Sequence, residues 1–227
     1  AMYFTIGGRG TASGLYRVTY TGADSVATAL EPNRDGADAR ALRRRLEALH
    51  GAADSRAVEI LWPHLDSPDR AIRYAARIAL EAQPVAEWRD RALAETSADG
   101  GLTALLALAR VGGKSEQEAD LRGLGRWPMA TLTERQQLDK LRVIQVSLAR
   151  HGLPSPELVQ LAVERLNRSY PSPSRLVNRE LSQVLIALGA PDVVEKTLAV
   201  MARSTTQEDL MHYIFHLRTA RHWTVEQ

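Results

Sequence analysis

The chain has 227 residues, 44% hydrophobic and 25% charged, an ordinary composition for a globular protein that buries a core. Its net charge of only +2 gives little long-range attraction for a polyanion, so composition does not argue for nucleic-acid binding. Because cysteine is absent, disulfides, thiolate nucleophiles, Cys-ligated zinc and covalently attached c-type haem are excluded within this chain.

The first 22 residues differ in composition from the rest of the chain. Residues 2–6 and 15–20 are rich in β-branched and aromatic side chains and flank the glycine-rich stretch 7–14, which predicts a β-hairpin with a long loop. An isolated hairpin is marginal in water, so it needs support from the helices, from another chain or from a further domain. We interpret 1–22 as the remnant of a preceding domain and 23–37, which has little periodicity, as a linker.

From Asp38 onward the apolar residues recur with helical spacing, and Pro at starts and Gly at stops punctuate the pattern. Ser67 is a good N-cap with Pro68 at the first helical position, and Thr133 caps the longest segment. Beyond the first segment at 38–49, helices are predicted over 57–65, 70–80, 84–93, 102–111, 116–124, 133–151, 154–166, 174–188, 193–202 and 205–220.

The connections between these segments are short, so neighbouring helices are antiparallel. The second helices of successive pairs lie roughly 30 to 40 residues apart, which is the period of helical-hairpin solenoids. Each pair then buries its apolar side only against the next pair. The sequence therefore predicts an all-α fold over 38–227: a HEAT/armadillo-like superhelix of about five helix pairs, preceded by the short hairpin.

Residues 57–80 carry the pattern of one known repeat. Leu-x-Pro-His-Leu, followed by Asp-Ser-Pro-Asp-x-x-Ile-Arg-x-Ala-Ala-x-x-Ala-Leu, resembles a HEAT repeat. By that likeness, Asp69 and Arg73 occupy the positions at which such repeats carry an inter-repeat Asp/Arg ladder.

A broader resemblance covers nearly the whole chain. Its first part looks like the closing strands of a sorbosone-dehydrogenase-like β-propeller, and the rest resembles the helical segment of large planctomycete-type multidomain proteins. In those proteins a propeller, a helical-repeat region and a cytochrome c-like haem domain follow one another. The likeness is carried by Ile6–Tyr20, Trp62–Leu65, Ser67–Arg70, Arg73–Arg77 and Asn178–Ser182.

This resemblance implies a scaffold that links an oxidising domain to an electron acceptor, in a secreted or periplasmic parent. The chain departs from the family because it has one hairpin instead of a propeller and no Cys-x-x-Cys-His. Redox activity is therefore not carried over, and we expect neither a cofactor nor catalysis.

His212 and His216 stand four residues apart on one helical face, a spacing that suits two metal ligands. No Glu occupies the position that a zincin helix needs, and nothing fixes a third ligand among His222 and Glu208. Simple packing of the two histidines is the favoured interpretation, so we predict no metal site.

The favoured function is a non-catalytic scaffold that docks proteins, with Arg70, Arg77 and Arg179 on a candidate docking face. Two alternatives stay open: a nucleic-acid-binding HEAT-like protein of the DNA glycosylase type, and a haem-associated redox subunit. The first requires a continuous positive surface and steeply salt-dependent DNA binding, and the second requires a coloured protein. No apolar run approaches the roughly 18 residues of a membrane span, so no membrane partner is expected.

Overall fold

The computed structural model describes residues 2–8, 10–22, 34–51, 53–221 and 223–225. The chain divides into two units, residues 1–37 and 38–227. Most of the predicted linker lies outside the described residues, as does His222.

The first unit contains an antiparallel hairpin of β1 (Met2–Gly8) and β2 (Thr11–Val18). The register runs from Met2 opposite Val18 to Ile6 opposite Gly14, with an irregularity between Ile6 and Gly8. The strands are longer than the sequence predicts, because the glycine-rich stretch continues the pairing instead of forming a long loop. Gly10, whose φ of 81° is readily adopted only by glycine, lies in the tight connection.

The second unit is helical. Its eleven described α-helices are joined by short loops and 3₁₀ turns. Their bounds are α1 (Ala37–Glu47), α2 (Ala57–Leu61), α3 (Arg70–Glu81), α4 (Val85–Ala94), α5 (Ala98–Val111), α6 (Gln117–Gly123), α7 (Glu134–His151), α8 (Pro156–Asn167), α9 (Arg175–Leu188), α10 (Val193–Met201) and α11 (Gln207–Leu217). The chain is thus mainly α with a short hairpin, as predicted.

Capping residues at the helix ends explain several of these boundaries. Thr133 and Gln136 form a reciprocal capping box at the start of α7. Ser174 caps α9, and Gly189 ends it in the left-handed conformation with a φ of 72°. The start of α3 differs from the prediction: Asp69, not Ser67, is the N-cap, and its carboxylate accepts from the backbone N–H groups of the first turn. Pro68 therefore lies in the preceding turn.

Helix α5 begins four residues earlier than predicted. Ser97 caps it by accepting from the N–H of Gly100, and the helix runs through both Gly100 and Gly101. A Cβ on Gly101 would lie 2.1 Å from Trp127, so the indole occupies the space that a side chain would need. Gly101 is thus required by packing inside the helix, whereas the sequence analysis starts the helix only after both glycines.

The helices contact one another in a regular order. Helices α3, α5, α7, α9 and α11 contact each other consecutively, and we call them the odd row. Each of them also packs against the even-numbered helix that precedes it, from α2 to α10. The core between them is built mainly from Leu, Ala and Val, with Ala75, Ala76 and Ala79 of α3 fully covered. Small residues at these contacts let the helix backbones approach closely.

Two tryptophans tie neighbouring helix pairs together, and a third is buried in the core. The indole of Trp62 donates to the carboxylate of Glu95 over 2.8 Å, and that of Trp127 donates to the carbonyl of Thr96 over 3.2 Å. Trp88 is fully buried. None of the described helices combines the length and the apolar character needed to cross a bilayer.

Candidate docking face

A polar bridge crosses every boundary in the odd row. Each bridge joins side chains that are about 30 or more residues apart in the chain. The four bridges are Glu81–Arg110 (2.8 Å), Asp99–Arg135 (2.6 Å), Gln145–Glu180 (2.5 Å) and Arg175–Asp209 (2.8 Å). We call this set the seam. It joins α3 to α5, α5 to α7, α7 to α9 and α9 to α11.

The bridge between α5 and α7 is the most elaborate. Asp99 accepts from both Arg135 and the side-chain amide of Gln136, and Arg135 also pairs with Asp139 one turn further along. Burial by itself would raise the pKa of Asp99, but the hydrogen bonds from Gln136 and Arg135 outweigh it and lower that pKa. The Asp99 carboxylate is therefore held in its charged form at the helix boundary.

The pair singled out from the HEAT pattern has a mainly local role. Asp69 caps α3, with its carboxylate 2.8 Å from the N–H of Ala71. Arg73 donates to the carbonyl of Ser67, in the turn before its own helix. Arg73 acts across helices through its charge, since it helps to lower the pKa of Asp99 and opposes the rise that burial causes in the pKa of Asp139. Direct acid–base contacts between odd-row helices are made by other residues, including Asp99 and Arg135.

Sequence reasoning missed Asp99 and Arg135, although a signal for them exists. Each follows a capping hydroxyl by two residues: Ser97 precedes Asp99, and Thr133 precedes Arg135. Helices α5 and α7 thus present an acid and a base at the same register, where their side chains can meet.

The three arginines of the predicted docking face occupy different environments. Arg70 is exposed, and Arg179 is half-buried and lies 3.4 Å from Asp209. Arg77 has little surface available to a partner, because it is only 9% exposed. It is ion-paired with Glu81 and lies over the ring of Tyr74. Burial lowers the pKa of Arg77 despite the attraction of Glu81. Its guanidinium is therefore largely covered and engaged by Glu81 and Tyr74.

Arg70, Arg73 and Arg77 nevertheless share one small surface cavity of about 150 Å³, which Tyr74 and Asp139 also line. Burial raises the pKa of Asp139, while the neighbouring arginines oppose the rise. One acidic side chain thus lies among three arginines in this part of the odd row.

The two predicted histidines of α11 lie side by side, with ring centroids 4.6 Å apart. His212 Nε2 is 3.1 Å from the carbonyl of Arg179, so this ring is engaged with α9. Burial lowers the pKa of His216, and the nearby His212 lowers it further. Among the described residues, no group of three or more His, Asp or Glu could hold a metal ion.

No family model, curated protein or solved structure matches this chain.

The last helix carries an uncovered apolar face. Met211, Ile214 and Phe215 of α11 are 62%, 58% and 56% exposed, and Arg218 lies over the Phe215 ring at 4.2 Å. Within the described chain, α5, α7 and α9 each lie between two odd-row neighbours, whereas α11 contacts α9 alone among them. An exposed apolar surface is thus present at this end of the row.

Proposed function

We propose that the helical unit is a HEAT-like α-α superhelix that acts as a non-catalytic scaffold for docking proteins. The order of helix contacts supports this, because consecutive contact within one row, with each member paired to its preceding helix, is typical of helical-hairpin solenoids. The observation that carries the proposal is the seam, in which a side-chain bridge crosses every boundary of the odd row.

The mechanism of such a scaffold is rigidity. A bridge at each boundary limits rotation of one helix pair against the next, so the two ends of the unit keep a fixed separation. In a multidomain parent of the kind that the sequence resembles, the unit would set the distance between a propeller dehydrogenase domain and a cytochrome c-like domain, in the periplasm or outside the cell.

Two surfaces are proposed for docking. The first is the polar side of the odd row, with Arg70 and Arg179 as the accessible predicted residues and Arg77 as a buried support. The second is the apolar face of α11 formed by Met211, Ile214 and Phe215. An exposed apolar face at the end of a helical row is what a further packed helix pair covers.

The rigidity is testable with spin labels, since the chain contains no cysteine that would compete for the label. Labels at Ala71→Cys on α3 and Glu208→Cys on α11 occupy exposed positions near the two ends of the row. Double electron–electron resonance should give one narrow distance distribution, and adding Arg135→Ala should broaden it. Adding Arg142→Ala, a matched exposed arginine on the same helix, should leave it unchanged. A broad distribution in the parent protein would contradict the proposed scaffold.

The nucleic-acid alternative makes a different prediction. It requires a continuous positive surface, whereas the arginines of the odd row alternate with Glu81, Asp99, Asp139 and Asp209. The scaffold proposal therefore predicts no measurable binding to a 20-base-pair duplex at about 50 mM salt. Tight binding that weakens steeply between about 50 and 200 mM salt would favour the alternative.

A further inference from the structure

A cavity of about 250 Å³ lies between α6, α7 and α8, away from the seam. Most of its lining residues are apolar. They include Leu121 on α6 and Leu124 just after it, Ile144 and Leu148 of α7, and the leucines and Ala162 of α8.

The charged groups in this cavity all have one sign. Arg122, Lys140 and Arg165 line it, and none of the described lining residues is acidic. Arg122 is turned partly toward Glu118, 3.4 Å away, at the exposed surface. Within the described chain, no carboxylate forms an ion pair with Arg165, which is exposed. The cavity therefore combines an apolar interior with an uncompensated positive charge.

Lys140 is the unusual member of this group, because its side chain is buried and only 7% exposed. Its ammonium donates to the carbonyl of Leu124 over 3.0 Å and to that of Trp127 over 2.7 Å. An ammonium has three donors, so one donor remains for an acceptor in the cavity. Burial, with a contribution from the nearby Arg165, lowers the pKa of Lys140 to about 8, so it still carries its charge at neutral pH.

Gly125 allows the second cation to approach. A Cβ at this position would lie 2.6 Å from Nη1 of Arg165, so the guanidinium rests against the glycine backbone at the cavity. Two like charges thus face the same apolar space from α7 and α8. An anionic group placed between them would be attracted by both and would relieve their mutual repulsion.

The size of the cavity restricts the ligand. A dry apolar cavity of about 150 Å³ holds a benzene ring, so this one has room for roughly ten carbon atoms. That volume excludes a two-chain lipid, and the apolar walls do not suit a hydrophilic anion such as phosphate. A leucine or phenylalanine side chain of a protein partner would fit the walls but would leave the cations unpaired.

We propose that this cavity binds a medium-chain monocarboxylate of about eight to twelve carbons, with its chain among the leucines and its carboxylate at Lys140 and Arg165. The assignment is independent of the scaffold function, since it concerns α6 to α8 and none of the seam residues. A ligand here would fill the space between the third and fourth helix pairs and thereby support their packing.

Calorimetric titration of the whole chain with decanoate tests the proposal, with decanol and butyrate as comparison ligands. Decanoate should bind with a dissociation constant in the micromolar range. Decanol, which lacks the charge, should bind at least about tenfold more weakly, and butyrate should not bind at 1 mM. A tenfold loss is the size expected for one charge-assisted hydrogen bond.

Three variants locate the site. Arg165→Gln and Lys140→Met should each weaken decanoate binding by about tenfold or more, and Ala162→Phe, which fills the cavity, should abolish it. Arg142→Gln, an exposed arginine of α7 that does not line the cavity, is the matched control and should bind normally. Should Lys140→Met not fold, the exposed Arg165 still provides the test.

The proposal is overturned if decanoate fails to bind at 1 mM, if decanol binds as tightly as decanoate, or if Ala162→Phe and Arg165→Gln leave the affinity unchanged. If decanoate fails to bind, apolar side chains of a protein partner are the remaining class of occupant for this cavity. None of these results bears on the end-to-end rigidity, so failure here is distinguishable from failure of the scaffold.

Discussion

Arg135, at the start of α7, donates to Asp99, at the start of α5, with 2.6 Å between Nη2 and Oδ1 and 36 residues between them in the chain. The same carboxylate accepts from Gln136. The pair stands at the equivalent position of two successive helix starts, which makes it the clearest direct connection between neighbouring helix pairs.

Removal of this bridge should reduce stability by a modest amount. Arg135→Ala leaves Asp99 with only the Gln136 hydrogen bond. Because the Arg135 side chain is 47% exposed, we expect a loss of about 0.5–1 kcal/mol in the free energy of unfolding. Urea denaturation measures it. Arg142→Ala on the same helix serves as the control, and equal losses in both variants would show that the bridge contributes nothing.

Substitutions at Ser67 and Asp69 show which of the two residues caps α3. Asp69→Ala should lower the free energy of unfolding by about 1 kcal/mol, because two backbone N–H groups lose their acceptor. Asp69→Asn keeps a capping oxygen and should cost much less, and Ser67→Ala should be close to neutral. A larger effect at Ser67 than at Asp69 would restore the cap that the sequence suggested.

Replacement of either of two adjacent glycines of α5 by alanine should change the stability of the protein, but in opposite directions. At Gly100 a Cβ would meet its nearest neighbour at an ordinary 3.7 Å, so Gly100→Ala should stabilise the helix by about 0.5–1 kcal/mol. At Gly101 it would lie 2.1 Å from Trp127, so Gly101→Ala should destabilise the protein by about 1–3 kcal/mol. Thermal unfolding of both variants measures this, and a stabilised Gly101→Ala protein would contradict the close packing of the indole.

Asp120 should make stability depend on pH. It is 1% exposed, and neither carboxylate oxygen has a hydrogen-bond partner in the described chain; burial raises its pKa to about 8. The unfolded carboxyl loses its proton near pH 4. Between these values the folded state binds the extra proton, so this contribution to stability is full below about pH 4 and is lost as the pH rises to about 8.

Asp120→Asn should remove that dependence. In the parent protein the slope from this group reaches at most about 1.4 kcal/mol per pH unit between pH 5 and 7. Urea denaturation at four pH values measures it, with the exposed Glu87→Gln as control. If the Asn variant shows the same slope as the parent protein, Asp120 ionises in the folded state without penalty.

The sequence was sufficient to predict the mainly helical fold and most helix positions, because apolar periodicity and capping residues such as Thr133, Ser174 and Gly189 act locally. It misplaced the start of α5, since only the tertiary position of Trp127 explains why a glycine is needed at position 101 inside the helix. It also extended the hairpin loop too far, because glycine and serine join a strand when a partner strand is present.

The burial of charged side chains could not be predicted from the sequence for a similar reason. Arg77, Asp120 and Lys140 occur at spacings that also suit exposed positions, and their burial follows from which helix packs beside them. The seam and the cavity are likewise properties of neighbouring helices, so no pattern within one helix reveals them.

The central claim is that the helices of the odd row stack in chain order from α3 to α11. Distances measured from α11 to the other helices test it most directly. With a spin label at Glu208→Cys on α11, partner labels are placed in turn at Arg142→Cys on α7 and at Ala71→Cys on α3. Adjacent helices are about 8–10 Å apart. Two helix spacings therefore separate α11 from α7, at about 20 Å, and four separate it from α3, at up to about 40 Å. A clearly longer α11–α3 distance is predicted; a distance equal to or shorter than the α11–α7 distance would contradict the stacking of the row.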